Sequence, residues 1–298
     1  MASPQTGIFA LGTESHAYLE LDRIAGTEAA ALVTRVASLR EPRTTIGGVN
    51  LVAGFRPELW AAVAPDAAPS GVHGFDEPLV GPGGYLMPAT QHDVVIWLAG
   101  ASYDVVFDLS RAVLGSLAGQ ADLGHEIVGW PYHHDLDLTG FIDGTENPTL
   151  AEAAAVVPIA AGQPGEGGTV LLLQQWEHDA AAWEGLSVGA QEQVIGRRKA
   201  DSVELDPQSP GSHVARTDQA RFGKIFRRNI AYGSVLVHGT TFVGFSADQR
   251  ILATMLDSML GLPDGRADEL TRFTRPITGA YYVIPSAERL ARLATGGA

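Results

Sequence analysis

Gly140-Phe141-Ile142-Asp143-Gly144-Thr145-Glu146-Asn147-Pro148 is the stretch from which the rest of the chain is read. Asp-Gly favours a tight turn because glycine takes positive φ without a Cβ clash, and Asn-Pro turns the backbone away from helix. A surface turn accounts for these four residues. It does not account for Asp143 and Glu146 standing beside an apolar Phe-Ile pair, because a carboxylate held against an apolar wall needs a partner or has a task.

The same nine residues resemble, letter for letter, the signature of the dye-decolourising haem peroxidases, in which a GxxDG core supplies the distal aspartate. The resemblance implies an α+β fold. Two ferredoxin-like halves, antiparallel sheets with peripheral helices, would form a dimeric α+β barrel around haem. It also implies one haem b per chain and turnover of H2O2 through a ferryl intermediate. The electrons would come from dyes, phenolic compounds or Mn(II).

Bulk composition is compatible with this and excludes much else. The 298 residues are 45% hydrophobic and 18% charged, enough for a sizeable core in one large or two ordinary domains. A formal net charge of −14 repels phosphate backbones and anionic lipid, so no nucleic-acid or membrane partner is expected. With no cysteine there are no disulfides, thiolate metal sites or Fe–S clusters. The first residues lack a basic region followed by an apolar core, and no apolar run approaches the roughly 20 residues that span a bilayer; a cytoplasmic location is expected.

Along the chain, residues 16–24 alternate Leu19 and Leu21 with Tyr18, Glu20 and Asp22, which reads as a half-buried strand. Thr27 is placed to cap a helix with Ala29, Leu32, Val33, Val36 and Leu39 on its apolar face, stopped by Pro42. Strand Gly47 to Phe55, a short helix from Pro57, a Pro/Gly/Ala-rich loop over 64–92, strand Val94 to Leu98, a helix capped by Ser102 and strand Glu126 to Tyr132 follow. That order is ferredoxin-like. The second half repeats it: strand Thr169 to Trp176, helix Ala180 to Ile195, strands Ile225–Ile230 and Ser234–Phe245, a helix boxed by Ser246 and Gln249, and strand Thr278–Ile284. No residue-level repeat accompanies the repeated order. The expected organisation is a half over 1–132, a connector over 133–168 and a half over 169–298 that carries the haem pocket.

Without cysteine, an iron ligand must be His, Met or Tyr, and there are nine histidines. His133 and His134 with Asp135 and Asp137 look like a divalent-metal cluster, but adjacent residues rarely aim at one ion, and a solvated loop is the better reading. His213, in Pro210-Gly211-Ser212-His213-Val214-Ala215-Arg216, has a context that also suits a structural role. The resemblance assigns it as the axial haem-iron ligand, and Asp268 as the carboxylate that orients its imidazole. Asp268 also reads as an ordinary first-turn helix residue. In Ile225-Phe226-Arg227-Arg228-Asn229, a strand puts Arg227 and Asn229 on one face and Arg228 on the other. The resemblance makes Asp143, Arg227 and Asn229 the peroxide pocket, with Asp143 shuttling a proton and Arg227 stabilising charge. It places Glu146 near a haem edge, as part of a Mn(II) site or as a tie within the turn. It places Gly244 and Phe245 on the distal wall, although a core strand accounts for them equally well. Trp176, Trp183 and Tyr232 are electron-relay candidates for which core packing is the plainer role.

The short length and the lack of a Tat-like leader point to the B-type subgroup of that family, and the resemblance implies a homo-oligomer. The chain ends at Ala291-Arg292-Leu293 and a few small residues, so encapsulin docking is not expected. Two other functions compete: a haem-handling protein with little turnover, and a non-haem metal hydrolase using His133, His134, Asp135 and Asp143.

Overall fold

Leu19 and Leu21 alternate with Tyr18 and Glu20, and all four are buried. A strand covered on both faces is explained by the sheet to which it belongs. The structure is a computed structural model describing residues 2–41 and 48–295. Its strands are β1 (Ser15–Arg23), β2 (Val49–Phe55), β3 (Leu79–Val80), β4 (Leu86–Met87), β5 (Val94–Gly100) and β6 (Ala121–Trp130) in the first half. The second half has β7 (Thr169–His178), β8 (Phe226–Arg227), β9 (Ile230–Gly233), β10 (His238–Ser246), β11 (Thr274–Pro276) and β12 (Ala280–Ile284).

A ten-stranded antiparallel sheet runs β11-β7-β12-β2-β5-β1-β6-β9-β10-β8, and β7 also pairs with β10, which closes it. Each half contributes one ferredoxin-like set: β2-β5-β1-β6 from the first, β12-β7-β10-β9 from the second. The halves meet at two seams, Val283 opposite Phe55, and Gly129 and Trp130 opposite Tyr232 and Ala231. The expected α+β barrel of ferredoxin-like halves is therefore present.

Closure makes three apolar layers. Inside the barrel, Tyr18, Trp97, Leu171, Leu173, Phe226, Val243, Phe245 and Tyr282 pack together. Outside the first half, Leu19, Leu21, Ile96 and Leu98 meet helices Ala29–Ala37, Pro57–Val63 and Tyr103–Leu117. Outside the second, Val170, Leu172 and Trp176 meet helix Gln249–Leu260. Two interior polar groups find partners there: the Tyr282 hydroxyl donates to Glu20 at 2.6 Å, and Trp97 Nε1 donates to His16 at 3.1 Å.

The structure corrects several expectations, each for a local reason. The strand at 15–23 is buried on both faces through Leu21 because a closed barrel has no solvated face there. Glu28, not Thr27, occupies the N-cap of helix Ala29–Ala37, without a side-chain cap bond. Ser246 still belongs to β10, opposite Val170, so Asp248 caps the next helix by accepting from the Arg250 N–H. Ser234 to Val237 form the β9–β10 turn, not strand. The region 180–195 breaks at Gly185 into helices Ala180–Glu184 and Val188–Ile195. Within 64–92, β3 and β4 form a small hairpin. Pro42 and Gly47 lie outside the described residues.

Gly129 is required at its seam. A Cβ there would sit 2.4 Å from the Ala231 carbonyl oxygen and 2.5 Å from Ile230 Cδ1. Gly129→Ala should therefore destabilise the barrel by about 1–3 kcal/mol, the usual cost of overpacking. Urea unfolding measures it, and an unchanged midpoint would show that the seam is looser than described.

Candidate active site

The loop at 136–148 is clipped at both ends. Leu136 bridges Ile142, and the Asp143 N–H donates to the Asp135 carbonyl at 2.7 Å. Gly144 takes φ +76°, the left-handed conformation that Asp-Gly provides. Phe141 is buried against Trp183, whose indole N–H donates to the Thr139 carbonyl at 3.0 Å. At the far end Asn147 behaves as one more strand residue. Its amide donates to the Arg227 carbonyl at 2.9 Å, and its Oδ1 accepts the Arg227 N–H at 2.9 Å.

That pair of hydrogen bonds brings the loop carrying Asp143 to the strand carrying Arg227. Arg227 Nη1 lies 3.7 Å from Asp143 Oδ1, an ion pair too long to be a hydrogen bond. Asn229 faces the same way, its Oδ1 accepting the Val243 N–H at 2.9 Å and its NH2 left for another acceptor. Arg228 faces the barrel interior, where it lies over Trp97 and donates to the Ile8 carbonyl. Glu146 pairs with Arg197 at 3.0 Å and accepts the Gln219 N–H at 3.2 Å, which joins the loop to the helical side.

On the opposite wall, Ser212 caps the single-turn helix His213–Arg216. Buried Arg216 makes a two-pronged bond to Asp264, and the Glu269 N–H donates to the Gly211 carbonyl at 2.8 Å. These contacts fix His213, whose Nδ1 meets Asp268 Oδ2 at 2.7 Å. The other Asp268 oxygen caps the turn at Glu269–Arg272 by accepting the Leu270 N–H at 2.9 Å, so Asp268 is both a helix cap and the partner of His213. Burial opposes charge on the His213 imidazole, but the Asp268 carboxylate outweighs it, and the pKa is raised above the ordinary value. A histidine held this way through Nδ1 offers Nε2 to a metal.

Between the walls lies a cavity, partly open to solvent, whose lining among the described residues runs from Asp137 to Thr274. Leu172, Trp176, Phe242, Leu252, Met255 and Leu256 give it apolar sides suited to a flat aromatic group. Arg227 Nε and both amide atoms of Gln174 are buried and without a hydrogen-bond partner among the described residues. Such groups are costly unless a ligand or water meets them.

The cavity thus brings together Asp143, Glu146, His213, Arg227 and Asn229, with Asp268 behind His213. Phe245 is not among its lining. It stacks on Trp97 inside the barrel, because alternate residues of β10 face opposite ways, and Phe242 takes the wall position. Gly244 leaves room for the Phe242 ring. His133, His134 and Asp135 are exposed, and no group of three potential metal ligands occurs among the described residues. Trp176 lines the cavity, whereas Trp183 and Tyr232 are packed elsewhere. Sequence reasoning missed Asn147 as the clip, Arg197 as the partner of Glu146, and Phe242. For Phe242 the signal was available, since two adjacent strand residues cannot share a face.

Comparison with known proteins follows the same lines. The family model "Dyp-type peroxidase, C-terminal" matches residues 134–289. The chain is 34% identical over 268 residues to a "Dye-decolorizing peroxidase" of Mycolicibacterium paratuberculosis, covering 87% of this chain and 74% of that one. Among solved structures, DyPB from Rhodococcus jostii RHA1 superposes with TM-score 0.86 at 31% identity, covering 97% of both chains. A dye-decolorizing protein from V. cholerae gives TM-score 0.86 at 34% identity, covering 96% of this chain and 98% of that one. Variants of the R. jostii protein have been solved in complex with heme, and another with manganese.

Asn147→Ala leaves the Arg227 N–H and carbonyl without these partners. Stability should fall by about 1–3 kcal/mol, the cost of an unsatisfied buried polar group. Amide exchange should quicken at Arg227 and along 143–147 but not in β7. Uniform exchange across the second half would show that Asn147 does not act locally.

Proposed function

The chain belongs to the dye-decolourising peroxidase family, and from that premise we propose how its cavity works as a haem peroxidase. The observation that carries the reading is the pairing of two walls: an imidazole backed by a buried carboxylate faces a carboxylate, a guanidinium and an amide across an apolar slot.

The residues present suit haem b. His213 Nε2 would hold the iron and Asp268 would make the imidazole a stronger donor. The apolar sides suit the ring, and Arg227 and Gln174 await polar partners. Haem, when bound, supplies an iron centre able to take two oxidising equivalents from H2O2. The protein's own part is proton handling and charge stabilisation. Asp143 would take a proton from H2O2 and return it to the oxygen that leaves as water. The Arg227 guanidinium stabilises the negative charge that grows on that departing oxygen. The Asn229 NH2 orients the peroxide, because its carbonyl is already taken by Val243.

Phenols, dyes or Mn(II) would then return the electrons. Glu146 is tied to Arg197 and Gln219, which favours a structural role over a Mn(II) site. The exposed apolar tip Val235–Val237 supports a homo-oligomer.

His213→Ala should abolish haem binding in an absorption titration; full occupancy with an unchanged spectrum would refute the assignment. The distal roles separate by pH. Arg227 stays charged throughout, so Arg227→Ala should slow the reaction with H2O2 while keeping its pH profile. Asp143→Ala should flatten that profile. Each loss should be on the order of 10²-fold or more. Stopped-flow rates with H2O2 over roughly pH 4 to 8 measure both. An unaltered profile in Asp143→Ala would leave that residue a spectator.

A further inference from the structure

Asp143 is not the only carboxylate on the cavity wall. Asp137, six residues earlier in the same loop, lines it as well. Its Oδ1 accepts the Thr139 N–H at 2.7 Å and also the Thr139 hydroxyl. Its Oδ2 has no partner among the described residues. Asp143 has Arg227 at 3.7 Å, whereas no cation pairs with Asp137 among the described residues. Carboxyl groups that share a site but differ this much in their surroundings can divide acid and base roles between them. Burial favours the protonated form of Asp137.

Peroxide chemistry has a use for such a group. Complete reduction is H2O2 + 2e⁻ + 2H⁺ → 2H2O. The first water carries away both protons that peroxide brought. The oxygen atom left behind becomes water only by taking two electrons and two further protons. A phenol releases a proton with each electron it gives, but a donor such as ferrocyanide gives electrons alone. We propose that Asp137 is the proton-donating carboxyl of this cavity, delivering protons singly to the retained oxygen and regaining them from solvent through the cavity mouth. The proposal rests on the peroxidase reading above and deepens it.

The groups that face Asp137 support the assignment. Asp143, from the same loop, opposes its ionisation; His213, from the helical wall, favours it but is already paired with Asp268. His178 of β7, also on the wall, is held largely neutral by burial, its pKa lowered to about 4. Arg227 is engaged with Asp143, and Lys199 lies over the Phe141 ring and donates to Gln191. Burial pushes the Asp137 carboxyl up to about 6, against the Thr139 hydrogen bonds and with the charge of Asp143. A carboxyl raised in this way holds its proton below that pH and loses it above, so the proton supply is present in acid and fades toward neutrality.

Two measurements on the haem-loaded protein test this. Difference infrared titration should show a carboxyl ionising near pH 6. That ionisation should vanish in Asp137→Asn and move to higher pH in Thr139→Val, which removes a hydrogen bond favouring the charged form. Turnover with ferrocyanide should fall about 10²-fold in Asp137→Asn, the usual scale of general-acid assistance, and the loss should be clearly smaller with phenol, which brings a proton with each electron. An ionisation that persists in Asp137→Asn, or equal loss with both donors, overturns the proposal. A failure of the unmodified protein to bind haem or react with H2O2 would overturn the peroxidase reading itself.

Discussion

The site depends on two hydrogen bonds between one side chain and one peptide unit. Asn147 takes both main-chain groups of Arg227, each at 2.9 Å, and so fastens the 136–148 loop to β8 as if it were a further strand. Asp143 lies within that loop and Arg227 within that strand. Their approach to 3.7 Å follows from the main-chain clip and does not require strong attraction between the two charges. An ion pair at that distance leaves the carboxylate free to turn and accept a proton, which a close two-pronged bond would hinder.

Barrel closure supplies the rigid background. Because β7 and β10 pair along their whole length, the wall bearing Gln174, Trp176 and Phe242 cannot slide. Residues of opposite parity point into the barrel and form a packed interior around Trp97. One short strand thereby divides two arginines: Arg227 serves the cavity and Arg228 braces the interior over Trp97. The helical wall is fixed separately, through Arg216 with Asp264 and His213 with Asp268. Two independently anchored walls define the slot between them.

Much of this was legible in the sequence, for identifiable reasons. Strand and helix order follows from periodicity, and the facing of Arg227 and Asn229 follows from the two-residue repeat of a strand. The GFIDGTENP run marked the loop because its turn chemistry and its carboxylates are local features. What stayed hidden was long-range. Nothing in the neighbourhood of Asn147 announces an acceptor 80 residues away, and nothing near Glu146 announces Arg197. The both-sided burial of β1 depends on closure, which no local pattern encodes. Phe245 was misplaced because its neighbour Gly244 was read with it as one wall, although adjacent strand residues point apart. Asp137 read as a member of a candidate metal cluster or of a solvated loop, and only the fold shows it on the cavity wall.

On the peroxidase reading, Asn147 acts on the peroxide reaction by holding the loop that carries Asp143 against Arg227. A double-mutant cycle of Asn147→Ala and Asp143→Ala, read as the rate of reaction with H2O2 in haem-loaded protein, tests it most directly. The account predicts strong coupling: Asn147→Ala slows the reaction when Asp143 is present and has almost no further effect once Asp143 is gone. Losses that simply add, with Asn147→Ala equally harmful in both backgrounds, would contradict it.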